Sequence, residues 1–499
     1  MDTTLRDGEQ TSGVSFSMHE KLSIVRLLLE EVKVDRVEIA SARVSEGERK
    51  TVNKIMSWAA GSNYLKRIEI LGFVDGTDSV EWIAGVGGKV MNLLCKGSLK
   101  HLEGQLRRTP EQHAADIAQV VNDAHSKEID VNIYLEDWSN GMIHSPDYVH
   151  FLVKELLKLP VKRILLPDTL GILTPTQTEA FCKIMVQSYP GVHFDFHAHN
   201  DYDLAVANTF AAVAAGVRGV HTTVNGLGER AGNAPLSSVM AILHDHLHIR
   251  THLVEDKINA VSKVVETCSG IWIPPNKPVI GDSVFTQVAG VHADGDNKKN
   301  LYYNDLLPER FGRIRQYALG KNSGKANILK NLQLLGIELD DEMMKQVTER
   351  VIELGDKKES VSLDELPYIV SDVLKNGQDN QQIKMVNYSL SLTYGLRPAA
   401  TVKMEVNGQM YEQTAAGDGQ YNAVSKAMWK IYKSLKKPTP ELLDYMVVIP
   451  PGGKTDALVQ TVITWKFKDK LFKTRGLHGD QTVAAIIATV KMLNIIEEM

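Results

Sequence analysis

The hydrophobic positions follow two rhythms. Between about residues 17 and 250, short β-branched or apolar runs recur at Val34–Ala40, Arg67–Val74, Lys89–Cys95, Asp130–Leu135, Arg163–Pro167, His193–His199 and Gly219–Asn225. Longer stretches of helical spacing lie between them, such as Met18–Val32, Pro110–Lys127, Thr174–Ser188 and Leu204–Ala215. Strands in such alternation run parallel, because each helix returns the chain across one face of the sheet. A further strand around Met1–Leu5 brings the count to eight, the number that closes a (β/α)8 barrel. An open doubly wound sheet would ask for a G-x-G-x-x-G turn after its first strand, and none stands there. The pattern predicts an α/β fold, a TIM barrel over residues 1–255.

Helical, charged sequence follows over 256–376, interrupted by the Pro/Gly-rich Ile273–Gly281 and the polar, glycine-containing Gly290–Asn300. It reads as linker subdomains. The run Gly377–Gln382 reads as a tether to a third region, 385–499. There Met385–Val406 and Ala457–Phe472 have strand character, and Tyr421–Lys436 and Thr482–Leu493 have helix character, which gives a C-terminal α+β domain.

Composition narrows the class. A chain of 499 residues is too long for one ordinary core, and 43% hydrophobic with 23% charged residues is ordinary for a soluble protein. The net charge of −5 gives no electrostatic case for nucleic acid or an anionic membrane, and no apolar run approaches ~18 residues. Cys95, Cys182 and Cys268 are far apart and form no C-x-x-C, which excludes a disulfide framework or a Cys-rich zinc site. The polar first 15 residues do not read as a signal peptide. A reducing compartment, hence the cytoplasm, is expected.

The chemistry is concentrated at the C-terminal ends of the runs. In His197-Ala198-His199-Asn200-Asp201, residues two apart on a strand share a face, so both imidazoles project together. Two histidines plus a carboxylate make an open divalent-metal site, although such a pair is as often a polar strand end. Arg6-Asp7, Glu136-Asp137, Asp168-Thr169 and Asn225 also close strands, where barrel sites assemble. Helix capping explains Asp168 or Asp201 about as well. Gly226-Leu227-Gly228-Glu229-Arg230-Ala231-Gly232-Asn233 allows close backbone approach to a ligand.

Taken together, D-T-T-L-R-D-G-E-Q at Asp2–Gln10, Pro167-Asp168-Thr169-Leu170-Gly171, H-A-H-N-D and N-G-L-G-E-R-A-G-N resemble the 2-isopropylmalate, homocitrate and citramalate synthases. These belong to the metal-dependent barrel superfamily named for its D-R-E motif. The likeness continues through Gly290–Gly295, Leu319-Gly320-Lys321, Gly417-Asp418-Gly419 and Asp444-Tyr445, and so covers nearly the whole chain.

The resemblance implies Asp7, His197, His199 and Asn233 as ligands of a divalent ion (Mn2+, Mg2+ or Zn2+) that holds a 2-oxo acid. It implies Arg6 as the group that neutralises charge on the ketone oxygen, and Thr169 as the partner of the oxo-acid carboxylate. Glu136 and His292, with Tyr302 beside Tyr303, match the acid–base apparatus that acts on acetyl-CoA. A homodimer is implied as well. So is an amino-acid effector on the C-terminal domain, isoleucine or else leucine, at Tyr421, Tyr445, Thr455, Val459 and Gln481. Asn422 and Gly479 depart from the family's Asp and Pro there.

In substrate choice the chain resembles the pyruvate-using citramalate synthases, whose pocket matches Leu71, Leu94 and Tyr134. Tyr134 shares a strand face with Glu136, and its ring fills room that an isopropyl group needs. Tyr134 as plain barrel packing is the alternative. Citramalate synthase is therefore the expected activity, on the route to isoleucine, with 2-isopropylmalate synthase as the alternative. A retro-aldol lyase and a non-catalytic amino-acid sensor are more remote. The family carries residues ahead of D-T-T-L-R-D-G, so a shortened first strand, with adjoining edges partly unpaired, and an upstream start are expected.

Overall fold

The computed structural model describes residues 1–335, 337–356, 361, 366–374, 382–448, 459–468 and 470–498. They divide into two compact units, residues 1–285 with 304–314, and residues 286–303 with 315–499.

The first unit is the barrel. Seven parallel strands pair in chain order: β1 Val37–Ser41, β2 Ile68–Phe73, β3 Val90–Lys96, β4 Asp130–Glu136, β5 Val161–Asp168, β6 Phe194–Ala198 and β7 Gly219–His221. Met1–Leu5 forms no eighth strand. Instead Asp2 alone bridges Val37 on one side and Thr222 on the other, so both flanking edges find a partner there. Its amide donates to the Arg36 carbonyl at 2.9 Å, and the Glu38 amide donates back to Asp2 at 2.9 Å.

The surrounding helices start where the local chemistry dictates. Ser17/Glu20, Thr109/Gln112 and Thr174/Gln177 are reciprocal capping boxes, and Pro110 and Pro175 occupy first helical positions that need no amide hydrogen. The last run ends early. Asn225 adopts φ 60° in a short turn and donates to the Ser262 carbonyl, so it serves loop structure rather than a strand end aimed at the site.

Inward-facing positions two apart along the strands make two layers. The lower layer is polar: Glu38, Glu69, Asn92, Asn132 and Asp195 are 0% exposed. One residue pair further along, Leu71, Tyr134 and Leu165 form a small apolar cluster, separate from the main core, with Phe73 and Leu94 against it.

In the second unit, β8 Thr286–Gln287 and β9 Gln316–Tyr317 pair in parallel. The stretch Gly290–Asn300, read from sequence as an interruption, is a helix over Gly290–Lys299 that stops at left-handed Asn300. Glycines at positions 290 and 295 obscured its helical spacing. Helices Lys325–Leu335, Asp341–Asp356 and Leu366–Leu374 follow.

Two β-β-β-α modules complete the chain. The first has β10 Ile383–Ser391, β11 Ala399–Val406, β12 Gln409–Ala416 and a helix over Gln420–Ser434. The second has β13 Glu441–Val448, β14 Val459–Phe467, β15 Lys470–His478 and a helix over Gln481–Glu498. Each long run read as one strand is thus a hairpin or part of one, and β12 and β13 were not anticipated. Their exposed faces break the hydrophobic alternation that marks a strand.

Lys21 ties the first helix to the barrel mouth. It is 0% exposed, and its Nζ donates to the carbonyls of Leu5 (3.3 Å) and Ile39 (3.4 Å) and pairs with Glu9 (2.6 Å) and Glu48. Lys21→Met is expected to cost roughly 2–3 kcal/mol, less than a fully buried pair because both glutamates are partly solvated. Urea unfolding measures this, and an unchanged midpoint would show the contacts to be idle.

Candidate active site

The first loop folds around one carbonyl. Thr3 O accepts from the amides of Arg6 (3.2 Å), Asp7 (2.9 Å) and Gly8 (3.1 Å), which turns Arg6 and Asp7 into the barrel mouth. Asp7 is 1% exposed. His197 is the penultimate residue of β6, and His199 follows the strand, bridged to Asn233.

The Nε2 atoms of the two histidines lie 3.3 Å apart, and Asp7 Oδ2 is 3.0 Å from His197 Nε2 and 3.8 Å from His199 Nε2. Among the described residues, this is the only His/Cys/Asp/Glu cluster of metal-binding geometry. Asp7 Oδ1 and Asn233 Oδ1 are buried without a hydrogen-bond partner, as oxygens that take a cation are. Two imidazole nitrogens, one carboxylate and one amide oxygen suit a divalent ion.

Electrostatics prepare the set. Burial favours a neutral Asp7, but Arg6 and the two histidines outweigh it and hold its carboxyl far below the usual range. Burial, with His197 alongside, pushes His199 down to about 4, the neutral form a metal ligand requires.

The glycine-rich loop serves this geometry. A side chain on Gly228 (φ 151°) would meet the Asn233 amide, and one on Gly232 (φ 85°) the Gly226 carbonyl. The loop needs glycine to fold back on itself and seat Asn233.

Arg6 stands at the centre. Its Nε donates to Glu38 Oε2 at 2.6 Å, NH1 lies 3.4 Å from Asp7, and NH2 donates to the Tyr134 hydroxyl at 3.3 Å. Thr169 Oγ1 accepts from the Asp137 amide at 2.8 Å, which leaves its own proton to give. Glu136 pairs with Lys96.

Three family matches divide the chain: HMGL-like over residues 1–265, homocitrate synthase post-HMGL domain-like over 279–359, and LeuA allosteric (dimerisation) domain over 360–497. A putative (R)-citramalate synthase of Methanopyrus kandleri is 32% identical, over 99% of this chain and 95% of that one. The (R)-citramalate synthase of Methanocaldococcus jannaschii is 32% identical over 99% and 98%. A probable 2-isopropylmalate synthase of Methanopyrus kandleri is likewise 32% identical, over 99% and 97%. The chain belongs to the citramalate and 2-isopropylmalate synthase family. Members are acyltransferases that condense acetyl-CoA with a 2-oxo acid, and their catalytic domain is an HMGL-like barrel.

The remaining family positions lie in the second unit. The His292 ring packs at a tilt against Tyr302 with centroids 4.2 Å apart, and its Nδ1 meets Gln287 Oε1 at 3.2 Å. Neighbouring Tyr303 packs instead under the Arg315 guanidinium, so only Tyr302 partners His292. In the LeuA domain, Tyr421, Tyr445 and Gln481 line one cleft of about 990 Å³, with Asn422, Trp429 and Trp465. The two tyrosine rings stack at 5.3 Å. Val459 lies in β14 and does not line that cleft, and Thr455 is outside the described residues. Among the described residues no helix is long and apolar enough to cross a membrane.

Sequence reasoning passed over Glu38, Asn92, Lys96 and His221. The available signal was a polar residue inside an apolar strand, as in Val-Glu-Ile or Met-Asn-Leu. Asp168 holds its own loop rather than capping a helix: its carboxylate accepts from the amides of Ile172 and Leu173, ahead of the helix that Thr174 caps.

The Lys96 amide donates to His113 Nε2 at 3.1 Å, fixing the end of β3 beside Glu136. Burial lowers the His113 imidazole from 6.5 to about 4. The folded state therefore favours neutral His113. That stabilisation is complete above pH 6.5 and is lost as pH falls towards 4. Wild type should lose about 1–3 kcal/mol more than His113→Gln between pH 7.5 and 4.5 in urea midpoints, and parallel pH profiles would refute this.

Proposed function

We propose that the protein is a citramalate synthase, which condenses pyruvate with acetyl-CoA. The observation that carries this reading is Tyr134: only 3% exposed, it clusters with Leu71 and Leu165, with Leu94 and Phe73 packed alongside. In this reading the Tyr134 ring takes up room that the isopropyl group of 2-oxoisovalerate would need and that the methyl group of pyruvate does not.

In this reading residues 1–255 are the catalytic domain, 256–376 complete the active site, and 385–499 regulate. Asp7, His197, His199 and Asn233 would hold the divalent ion, which when bound polarises the ketone of the oxo acid. Thr169 donates its hydroxyl proton to the oxo-acid carboxylate. A base from Glu136 and His292, the latter backed by Tyr302, takes a proton from the acetyl methyl of acetyl-CoA. The enolate carbon then attacks the ketone carbon. Negative charge growing on the ketone oxygen is met by Arg6, already oriented by Glu38 and so needing no reorganisation. Hydrolysis of the thioester releases CoA and makes the condensation effectively irreversible. The Tyr421–Tyr445 cleft would take isoleucine as a feedback effector. A homodimer is in keeping with the family description of that domain.

Thiol release from acetyl-CoA, followed with pyruvate and with 2-oxoisovalerate, tests the proposal. Pyruvate should be preferred by at least about tenfold, and a chelator should abolish turnover until divalent ion is restored. Preference for 2-oxoisovalerate would make the enzyme a 2-isopropylmalate synthase instead.

Isoleucine should inhibit wild type, and Tyr445→Ala should relieve that inhibition while leaving uninhibited kcat within about twofold. Inhibition by leucine alone would reassign the effector.

A further inference from the structure

We propose that His221 is a positioning residue for the oxo-acid pocket: its ring, anchored on Asp195, holds the Tyr134 hydroxyl against Arg6. The inference rests on the pyruvate reading above, because it explains how the pocket's largest side chain is fixed.

Three buried side chains form a line. Asp195 Oδ2 accepts from Arg36 NH2 at 2.6 Å and lies 3.1 Å from His221 Nε2. On the other side of the ring, His221 Nδ1 is 3.0 Å from the Tyr134 hydroxyl. Asp195 and His221 are 0% and 1% exposed, so water does not substitute for either partner.

Donor and acceptor chemistry then orders the protons. A carboxylate clamped by a guanidinium has none to give, so Nε2 carries the ring hydrogen and Nδ1 accepts. The tyrosine proton therefore goes to His221. A second acceptor, Glu38 Oε2, is farther away at 3.5 Å and already takes Arg6 Nε at 2.6 Å. With its proton so placed, the Tyr134 oxygen turns a lone pair to Arg6 NH2. Both ends of the hydroxyl are engaged, and the ring cannot swing out of the pocket without breaking two hydrogen bonds.

His221→Phe keeps the ring and removes the acceptor, whereas His221→Asn retains a carbonyl oxygen on the Nδ1 side. These variants, Tyr134→Phe and the double variants would be compared by turnover, by calorimetric binding of pyruvate with Mg2+ supplied, and by urea unfolding. His221→Phe should raise the pyruvate KM and narrow the pyruvate/2-oxoisovalerate ratio, each by about tenfold, with the acetyl-CoA KM within about twofold. His221→Asn should recover part of the loss. In the Tyr134→Phe background His221→Phe should add nothing further to the ratio, since the hydroxyl it holds is gone.

An unchanged ratio in folded His221→Phe, or a full additional effect on top of Tyr134→Phe, overturns the inference. If His221→Phe does not fold, His221→Asn with and without Tyr134→Phe decides by the same additivity rule. If wild type turns over neither acid, the functional reading fails on its own. The coupling is then read from the urea midpoints, where additive shifts overturn it and non-additive shifts uphold it.

Discussion

The ion pair between Arg6 and Glu38 is the contact on which the site turns. Glu38 is wholly buried, and a carboxylate in that position is tolerable only while Arg6 neutralises it and Asn92, at 2.7 Å, donates to its other oxygen. Conversely, the Arg6 guanidinium stays in place because Glu38 takes Nε and leaves the two NH2 groups for Asp7 and Tyr134. Positive charge at the barrel mouth is therefore not an independent feature. It is one end of a set of charges that must be buried together or not at all.

That set closes on itself. From Glu38 the contacts run through Asn92 to Asn132 (2.8 Å), to Arg163 (3.4 Å), to Glu69 (3.0 Å), to Arg36 (3.2 Å) and to Asp195 (2.6 Å). His221 and Tyr134 complete the circuit back to Arg6. A layer of Val, Ile and Leu would fill the same volume with less desolvation cost. What the polar layer adds is orientation: each group has one arrangement that satisfies it, and the pocket residues two positions further along the strands inherit that arrangement. Stability and preorganisation are thus drawn from the same contacts.

Much of this was legible in the chain, and the reason is periodicity. Parallel strands and crossover helices announce themselves by spacing, and residues at strand ends by position, which is why Arg6, Asp7, His197 and His199 stand out in the sequence. The polar layer was not. A single Glu or Asn within an apolar strand reads as noise, because the side-chain partners of Glu38, Glu69, Asn92 and Asn132 lie 31 to 96 residues away. The eighth barrel position is faint for a related cause: Asp2 alone bridges Val37 and Thr222, and a single bridge has no period. In the C-terminal modules β12 is exposed along most of both faces, so it lacks the one buried face that gives a strand its alternation.

Tyr134 shows why pocket size and barrel interior cannot be changed separately. It belongs to the apolar cluster through its ring and to the polar circuit through its hydroxyl. Trimming it to make room for a branched oxo acid would leave His221 Nδ1 and one Arg6 donor buried without partners, and each such loss costs about 1–3 kcal/mol. A pocket built for the larger substrate therefore requires a different residue at 221 as well as at 134. On the proposed reading, substrate choice in this barrel would rest on two strands, β4 and β7, rather than on one side chain.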